Sequence, residues 1–482
     1  MLFKTDIETA FGVETYLSPA MENAINLWEQ LENGKPPWVD KETRTIRFSN
    51  TVARELAKLI TQNIDIKVQP KYGTGEKAQF IQSAIDNHFL KNAQENMEKV
   101  IRLGGIMAKW NGSGIDYITP DRFLVTEYDS NGDITGVIFF SYYQKGGNFY
   151  TRAEWHRYED STRKNESGET ETIRLYRVSN KAYISDKYDE IGREIPLKKT
   201  KWADIVPEFQ AENLEKPLYT YIKNPYSNTI DPDSPLGVSC FSECIEELRW
   251  LDIAMSAMGT ETETSAPMML VDQSVIQYAN MHNIKLPKFV ANTGLDLSGD
   301  GSKPVEQWQP QLQVASRVEG INFYLSIISY KTGFDPGFFV FDGQNITMAT
   351  ATQVESTERR TVNTVLSYRS LLDRPNSNGD GRIGAIHDIA YIIDAMSVIN
   401  GDFAPQEYGN YELFCDFEDI TENKEENKMF DYQLAQNGYM SKARFLVRNL
   451  GVTKDEAEKM VAEAVEEKEN NEPKNTGLFG EE

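Results

Sequence analysis

From Ile106 to about Tyr221 the apolar residues of this chain alternate, while on both sides of that stretch they recur at every third or fourth position. A period of two puts alternate side chains on opposite faces of a strand, and a period near 3.6 gathers them along one side of a helix. The expected fold class is therefore α+β, predominantly helical, with a β-rich module set between helical segments. Inside the module, Gly136-Val137-Ile138-Phe139-Phe140 and Ile173-Arg174-Leu175-Tyr176-Arg177-Val178 read as strands. Asn131-Gly132-Asp133 and Gly146-Gly147-Asn148 read as turns between strands.

Ahead of the module, Met21, Ile25, Trp28 and Leu31 predict a helix, Gly34-Lys35-Pro36-Pro37 breaks it, and Val52, Leu56, Leu59 and Ile60 predict a second. Ile64 to Val68 alternates as a short strand, and Phe80 to Leu103 predicts one amphipathic helix that stops at Gly104-Gly105. Beyond the module, Phe241, Ile245, Leu248, Leu251 and Met255 fall on one side of a helix reaching about Glu263. Residues 265 to 315 mix short apolar runs with Gly294, Gly299, Gly301 and Pro304 and predict a small excursion. A helix resumes from Val318 to Lys331, a loop follows to Ile346, and a long helix runs from about Ala349 to Leu372. Asn376 to Gly384 interrupts the pattern. The remainder reads as helical and acidic, with a frayed end.

The 482 residues suggest about three units at roughly 150 residues each. With 74 Asp and Glu against 50 Lys and Arg, the net charge is −24. Like charge repels phosphate and few basic residues are free to displace counterions, so any contact with DNA has to be imposed by geometry. Cys240, Cys244 and Cys415 are an odd count and read as reduced core thiols. There is no basic segment followed by an apolar run at the N-terminus and no stretch of 18 apolar residues, so the expectation is a protein made in the cytosol, soluble, with no membrane partner.

No catalytic or cofactor motif emerges. Gly73-Thr74-Gly75-Glu76-Lys77 lacks both the phosphate-loop spacing and a Ser or Thr after the lysine, and reads as a surface turn. His88, His156, His282 and His387 lie in four separate segments without the spacing of a zinc site. Asn376 to Ile383 matches the first eight positions of a calcium loop, but position one is Asn and position twelve is His387 instead of Glu, so it reads as a plain connection. No nucleophile elbow and no Ser, His and acid constellation is present. The expectation is a non-enzyme with no cofactor and no metal.

The order helix, excursion, helix, loop, long helix resembles the centre of tailed-phage portal proteins, especially those of Gram-positive siphophages. Individual stretches resemble the family in the same order. Trp28-Glu29-Gln30-Leu31-Glu32-Asn33-Gly34-Lys35-Pro36-Pro37-Trp38 is similar to its W-x-x-x-Y-x-G-x-x-x-W entry, with Glu32 where Tyr is usual. Ala53-Arg54-Glu55-Leu56-Ala57-Lys58-Leu59-Ile60 resembles its ELA-x-LI helix, and Gly104-Gly105 its LGG turn. Pro235-Leu236-Gly237-Val238-Ser239 and Leu251-Asp252 resemble the start of its stem. Thr350-Ala351-Thr352-Gln353-Val354 is similar to TATEV, with Gln353 where Glu is usual, and Asn437 to Lys442 with Gly451 to Ala457 resembles the C-terminal helices. The NSNGDGRIG segment departs from the family pattern.

The resemblance implies a subunit of a twelve-membered ring at one capsid vertex of the virion, assembled in the bacterial host cytoplasm. It implies a wing over 1–240, a stem helix over 241–263, a clip over 264–315 and a second stem helix over 316–334. A channel loop over 335–348, a long wing helix over 349–373, a crown over 374–470 and a disordered tail over 471–482 would follow. Asp342, Gly343, Gln344, Asn345, Ile346 and Thr347 would be the loop residues facing double-stranded DNA in transit. The implied partners are other copies of the chain, the terminase large subunit, the major capsid and scaffolding proteins, and a head-tail connector protein. Two other readings stay open: another phage head or scaffolding-type structural protein, and an unrecognised hydrolase or calcium-binding protein.

Overall fold

The computed structural model describes residues 4–164, 170–212, 214–264, 268–271, 273–285, 290–292, 305–308, 313–341, 359–376 and 381–417, with short helical pieces between 432 and 463. The chain forms two compact units, Met1–Glu418 and Asp419–Glu482. Helices and strands are mixed.

In the first unit, α1 (Lys4–Phe11), α2 (Pro19–Glu32) and α3 (Phe48–Thr61) precede β1 (Ile64–Gln69). The Ser18 hydroxyl accepts the Met21 N–H at 3.3 Å, and Pro19 supplies the fixed φ of a first helical residue. Met21, Ile25, Trp28 and Leu31 are all buried along α2, and Val52, Leu56 and Ile60 along α3.

The single helix expected over Phe80 to Leu103 is instead two, α4 (Glu76–Ala84) and α5 (Ala93–Leu103), joined by a π turn at Ile85–Phe89 and a 3₁₀ turn at Leu90–Asn92. Ile81, Ile85 and Phe89 follow a spacing of four, which drifts around an ideal helix. The wider π turn lets all three stay buried and resets the phase for Met97, Val100 and Ile101.

The alternating stretch folds as expected into strands: β2 (Gly105–Trp110), β3 (Ile115–Ile118), β4 (Phe123–Tyr128), β5 (Ile134–Lys145), β6 (Asn148–Lys164), β7 (Thr170–Ser185), β8 (Arg193–Ile195), β9 (Glu208–Glu212) and β10 (Tyr219–Lys223). One sheet has the order β4-β5-β6-β7-β8, with β9 also on β7, and a second has β10-β2-β3. Lys145 pairs with Asn148, so Gly146-Gly147 is a two-residue turn. Its φ values of 60° and 80° are those a type I′ hairpin requires of glycine.

Past the module come α6 (Ile245–Thr264), β11 (Met268–Val271), α7 (Gln273–Met281), β12 (Val290–Asn292), β13 (Val305–Trp308), α8 (Val314–Lys331) and α9 (Arg359–Leu372). β11 lies between parallel β12 and antiparallel β13. The helix expected from Phe241 begins at Ile245. Ser239 accepts the Phe241 N–H at 3.2 Å and the Cys244 N–H bonds the Phe241 carbonyl at 2.9 Å, which holds Phe241 in a tight turn before the helix.

Residues 374 to 417 belong to the first unit. β14 (Arg374–Pro375) and β15 (Arg382–Ile383) form a small hairpin. α10 (Ala385–Ile399) sets Ile389, Ile392 and Ile393 against Ala108 and Ile115, and β16 (Glu412–Phe417) pairs with β1. Leu413 and Cys415 alternate with the exposed Glu412, Phe414 and Asp416, which fits a strand against β1, a pairing across more than 340 positions that local spacing does not encode. Among the described residues no helix is long and apolar enough to cross a membrane.

Candidate functional site: an antiparallel helix pair and its base

α6 and α8 run antiparallel, pinned at both ends. At one end Glu261 accepts the Gln313 N–H at 2.9 Å and pairs with the Arg317 guanidinium; at the other, the Lys331 ammonium donates to Glu247 at 2.6 Å and to the Glu243 carbonyl at 2.7 Å. The Gln313 N–H, followed by Arg317, holds the Glu261 carboxyl below its usual range.

Burial fades along the pair. Near the base Leu248, Leu251, Leu325 and Ile328 are buried, whereas Ile253 to Met258 are all only half-buried, Met255 among them, and Val314 is exposed. Large apolar side chains stand in the open on and beside the pair: Trp250 is 47% exposed, Phe323 62%, and Phe341, beyond α8, 71%. At roughly 25 cal/mol per Å² of apolar surface, such side chains favour being covered.

At the base, sequence pieces far apart in the chain meet. The Trp38 indole donates to Asp252 at 2.9 Å, and the Ile46 N–H donates to the other Asp252 oxygen at 2.9 Å. Ser256 accepts the Arg44 N–H at 2.9 Å and donates to the Arg44 carbonyl at 3.2 Å. Residues 38–46 thus strap the middle turns of α6. Gly104 and Gly237 touch backbone to backbone, since a Cβ on Gly104 would lie 2.5 Å from the Gly237 carbonyl oxygen. The Asn224 amide donates to the Val238 carbonyl at 2.9 Å, and the Cys240 N–H to that of Ile101 at 3.1 Å. Arg369 on α9 is buried and donates to the carbonyls of Ile60 and Leu59, both at 3.1 Å, at the C-terminal end of α3 where the helix dipole favours a cation.

Asp342, Gly343, Gln344, Asn345, Ile346 and Thr347 lie outside the described residues, as do Thr350 to Val354, Asn437 to Met440, and 471–482. Lys77, read as part of a surface turn, is 2% exposed. It pairs with Asp394 on α10 and donates to the Glu407 carbonyl at 2.9 Å, which ties α4 to α10. The Asn376 N–H bonds the Gly381 carbonyl at 2.9 Å next to the β14–β15 pair; residues 377–380 lie outside the described ones. His387 and Arg382 both bond the enclosed Asp373 carboxylate, His387 at 2.8 Å. Cys240, Cys244 and Cys415 are free thiols, the first two buried.

His156 sits in a buried chain that spacing alone did not single out. The Leu218 N–H donates to the Tyr176 hydroxyl at 3.1 Å, that hydroxyl to His156 Nδ1 at 2.6 Å, and His156 Nε2–H to Glu154 at 2.9 Å. Lys109 at 2.5 Å and Arg152 at 2.8 Å complete the shell of Glu154. Burial opposes its ionisation, but Lys109, His156 and Arg152 prevail and hold the carboxyl well below its usual range. Burial pushes His156 down, so its ring is neutral and carries its proton on Nε2. The signal was in β6: Arg152, Glu154 and His156 alternate, which places them on one face of a strand.

No family model matches the chain, and no curated protein does. Among solved structures, a chain from the neck of a native GTA (gene transfer agent) particle, computed with C12 symmetry, is similar at 10% identity and a TM-score of 0.40, over 93% of this chain and 98% of that one. A chain from the neck of an empty GTA particle, computed with C6 symmetry, is similar at 9% identity and a TM-score of 0.43, over 94% and 99%.

Proposed function

We propose that this chain is a phage portal subunit. It assembles into a ring at one capsid vertex, where double-stranded DNA passes through the channel, a terminase motor docks during packaging and head-tail connector proteins attach later. In this reading α6 and α8 are the stem, residues 335–348 the loop facing DNA, and the protein hydrolyses nothing. One observation carries it: among the motifs on which the sequence resemblance rests, Trp38 bonds Asp252 on α6 and Gly104 touches Gly237 ahead of it, beside a helix pair with large apolar side chains left in the open.

Light scattering and negative-stain imaging of the purified chain test it. A large ring with an axial opening is expected; a monomer, or a small closed oligomer without an opening, overturns it. Deleting 342–347 separates channel from scaffold: rings form and packaging stops, whereas normal packaging by the deletion removes the loop from the mechanism.

A further inference from the structure

In a chain of net charge −24, two neighbouring helices carry the opposite sign. α3 and α9 hold Arg54, Lys58, Arg359, Arg360 and Arg369 against a single acid, Glu55. They lie side by side and point the same way. At their ends Arg369 reaches the carbonyls of Leu59 and Ile60. At their starts Phe48 meets Phe339 at 5.2 Å, and the Asp335 carboxylate accepts the Thr361 hydroxyl at 2.8 Å. Each helix buries one face, Val52, Leu56 and Ile60 on α3 and Thr361, Val365 and Tyr368 on α9, and shows the other to solvent.

Arg47, just ahead of α3, and Thr51, Arg54 and Lys58 on it follow one another at spacings of four, three and four, and all are exposed. The outer face of α9 adds Arg359 and Asn363, also exposed and four apart. The Arg47 head is seated over Gly34, where a Cβ would lie 2.6 Å from its guanidinium carbon. Among the described residues no acid pairs with Arg47, Arg54, Lys58 or Arg359, whereas Arg360 donates to the Tyr330 carbonyl at 2.8 Å and Arg369 is taken up by α3. From Arg47 to Lys58 is about 16 Å of helix, and a duplex laid along it carries a phosphate about every 1.7 Å of its axis. An arginine fork matches a phosphate with two hydrogen bonds, and hydroxyl and amide groups such as those of Thr51 and Asn363 are common phosphate donors.

We propose that the outer face of α3 and α9 binds the phosphate backbone of double-stranded DNA, without regard to sequence. The choice of DNA as the polyanion rests on the portal reading, and the face gives that DNA a place of contact besides residues 335–348. The chain as a whole repels the duplex, so the attraction acts within a Debye length, about 10 Å at 0.1 M salt, and weakens steeply as salt rises.

Fluorescence anisotropy of the full chain with a labelled DNA duplex of random sequence tests it. Affinity falls by about a hundredfold between about 50 and 200 mM salt, a logarithmic slope of at least about −3. Arg54→Gln, Lys58→Gln and Arg359→Gln each make that slope shallower by about 1, with thermal melts unchanged because all three side chains are exposed. Lys145→Gln, the same loss of charge on the exposed end of β5, leaves the slope unmoved. No binding at the lowest salt overturns the proposal, as does an equal effect of Lys145→Gln. Displacement of the duplex by polyglutamate at equal charge assigns the face to an acidic protein and overturns it too. Light scattering of the same variants keeps the two readings apart. Rings lost in the variants make the face a contact between subunits and overturn the DNA site, and intact rings that bind no DNA overturn the site alone.

Discussion

The sheet module and the helix pair satisfy their side chains in opposite ways. Around Glu154 the charges are matched within one chain: two cations, a neutral imidazole and a tyrosine hydroxyl close a largely buried network. The α6–α8 pair is locked at both ends by ion pairs and leaves its middle half-buried, with Trp250 and Phe323 in the open. A region that completes itself is built for rigidity, and one that stops short is built for a neighbour.

Substitutions ordered by their effect on the isolated chain measure that contrast. Glu154→Gln strands Lys109 and Arg152 without their counter-charge, and urea unfolding records a loss of about 3–5 kcal/mol. Gly104→Ala drives a Cβ into the Gly237 carbonyl at a φ of 87°, which costs about 3 kcal/mol in the same assay. Trp38→Phe leaves an Asp252 oxygen unmatched and costs about 1–2 kcal/mol.

Glu29→Gln acts with the opposite sign and only in one pH window. Because the folded pKa is raised to about 7 from 4.5, the acid's contribution is intact below the unfolded value and is lost as pH rises through the folded one. After allowing for its partial exposure, the variant is more stable than the parent by on the order of 1 kcal/mol at pH 8 and equal to it at pH 4, as thermal melts at the two pH values record. Phe323→Ser has the smallest effect on the isolated chain, within about 0.5 kcal/mol, because the ring is already in water. Its effect falls on assembly, read as a lower yield of high-mass species in light scattering. An equal loss in chain stability would mean that the pair is complete without neighbours.

What could be read in advance was what neighbours in sequence decide. Gly146-Gly147 announced its hairpin because glycine takes both positive φ values without strain, and the buried stripe of α2 followed from a spacing of three and four. The π turn at Ile85–Phe89 stayed hidden because a spacing of four is compatible with a plain helix until the core decides otherwise. Lys77 was read as a surface residue because its partner, Asp394, lies more than 300 positions away. Trp38 and Asp252 were each visible as pieces of a motif, but their hydrogen bond was not.

The contact of Gly104 with Gly237 has a mechanical side. Where side chains separate two elements, each can turn a little about its bonds when pushed. Here two backbones meet with nothing compressible between them, directly behind β2 and just ahead of α6. A load applied to the helix pair reaches the sheet at this point without being absorbed on the way, so the joint behaves as a fulcrum and not as a spring.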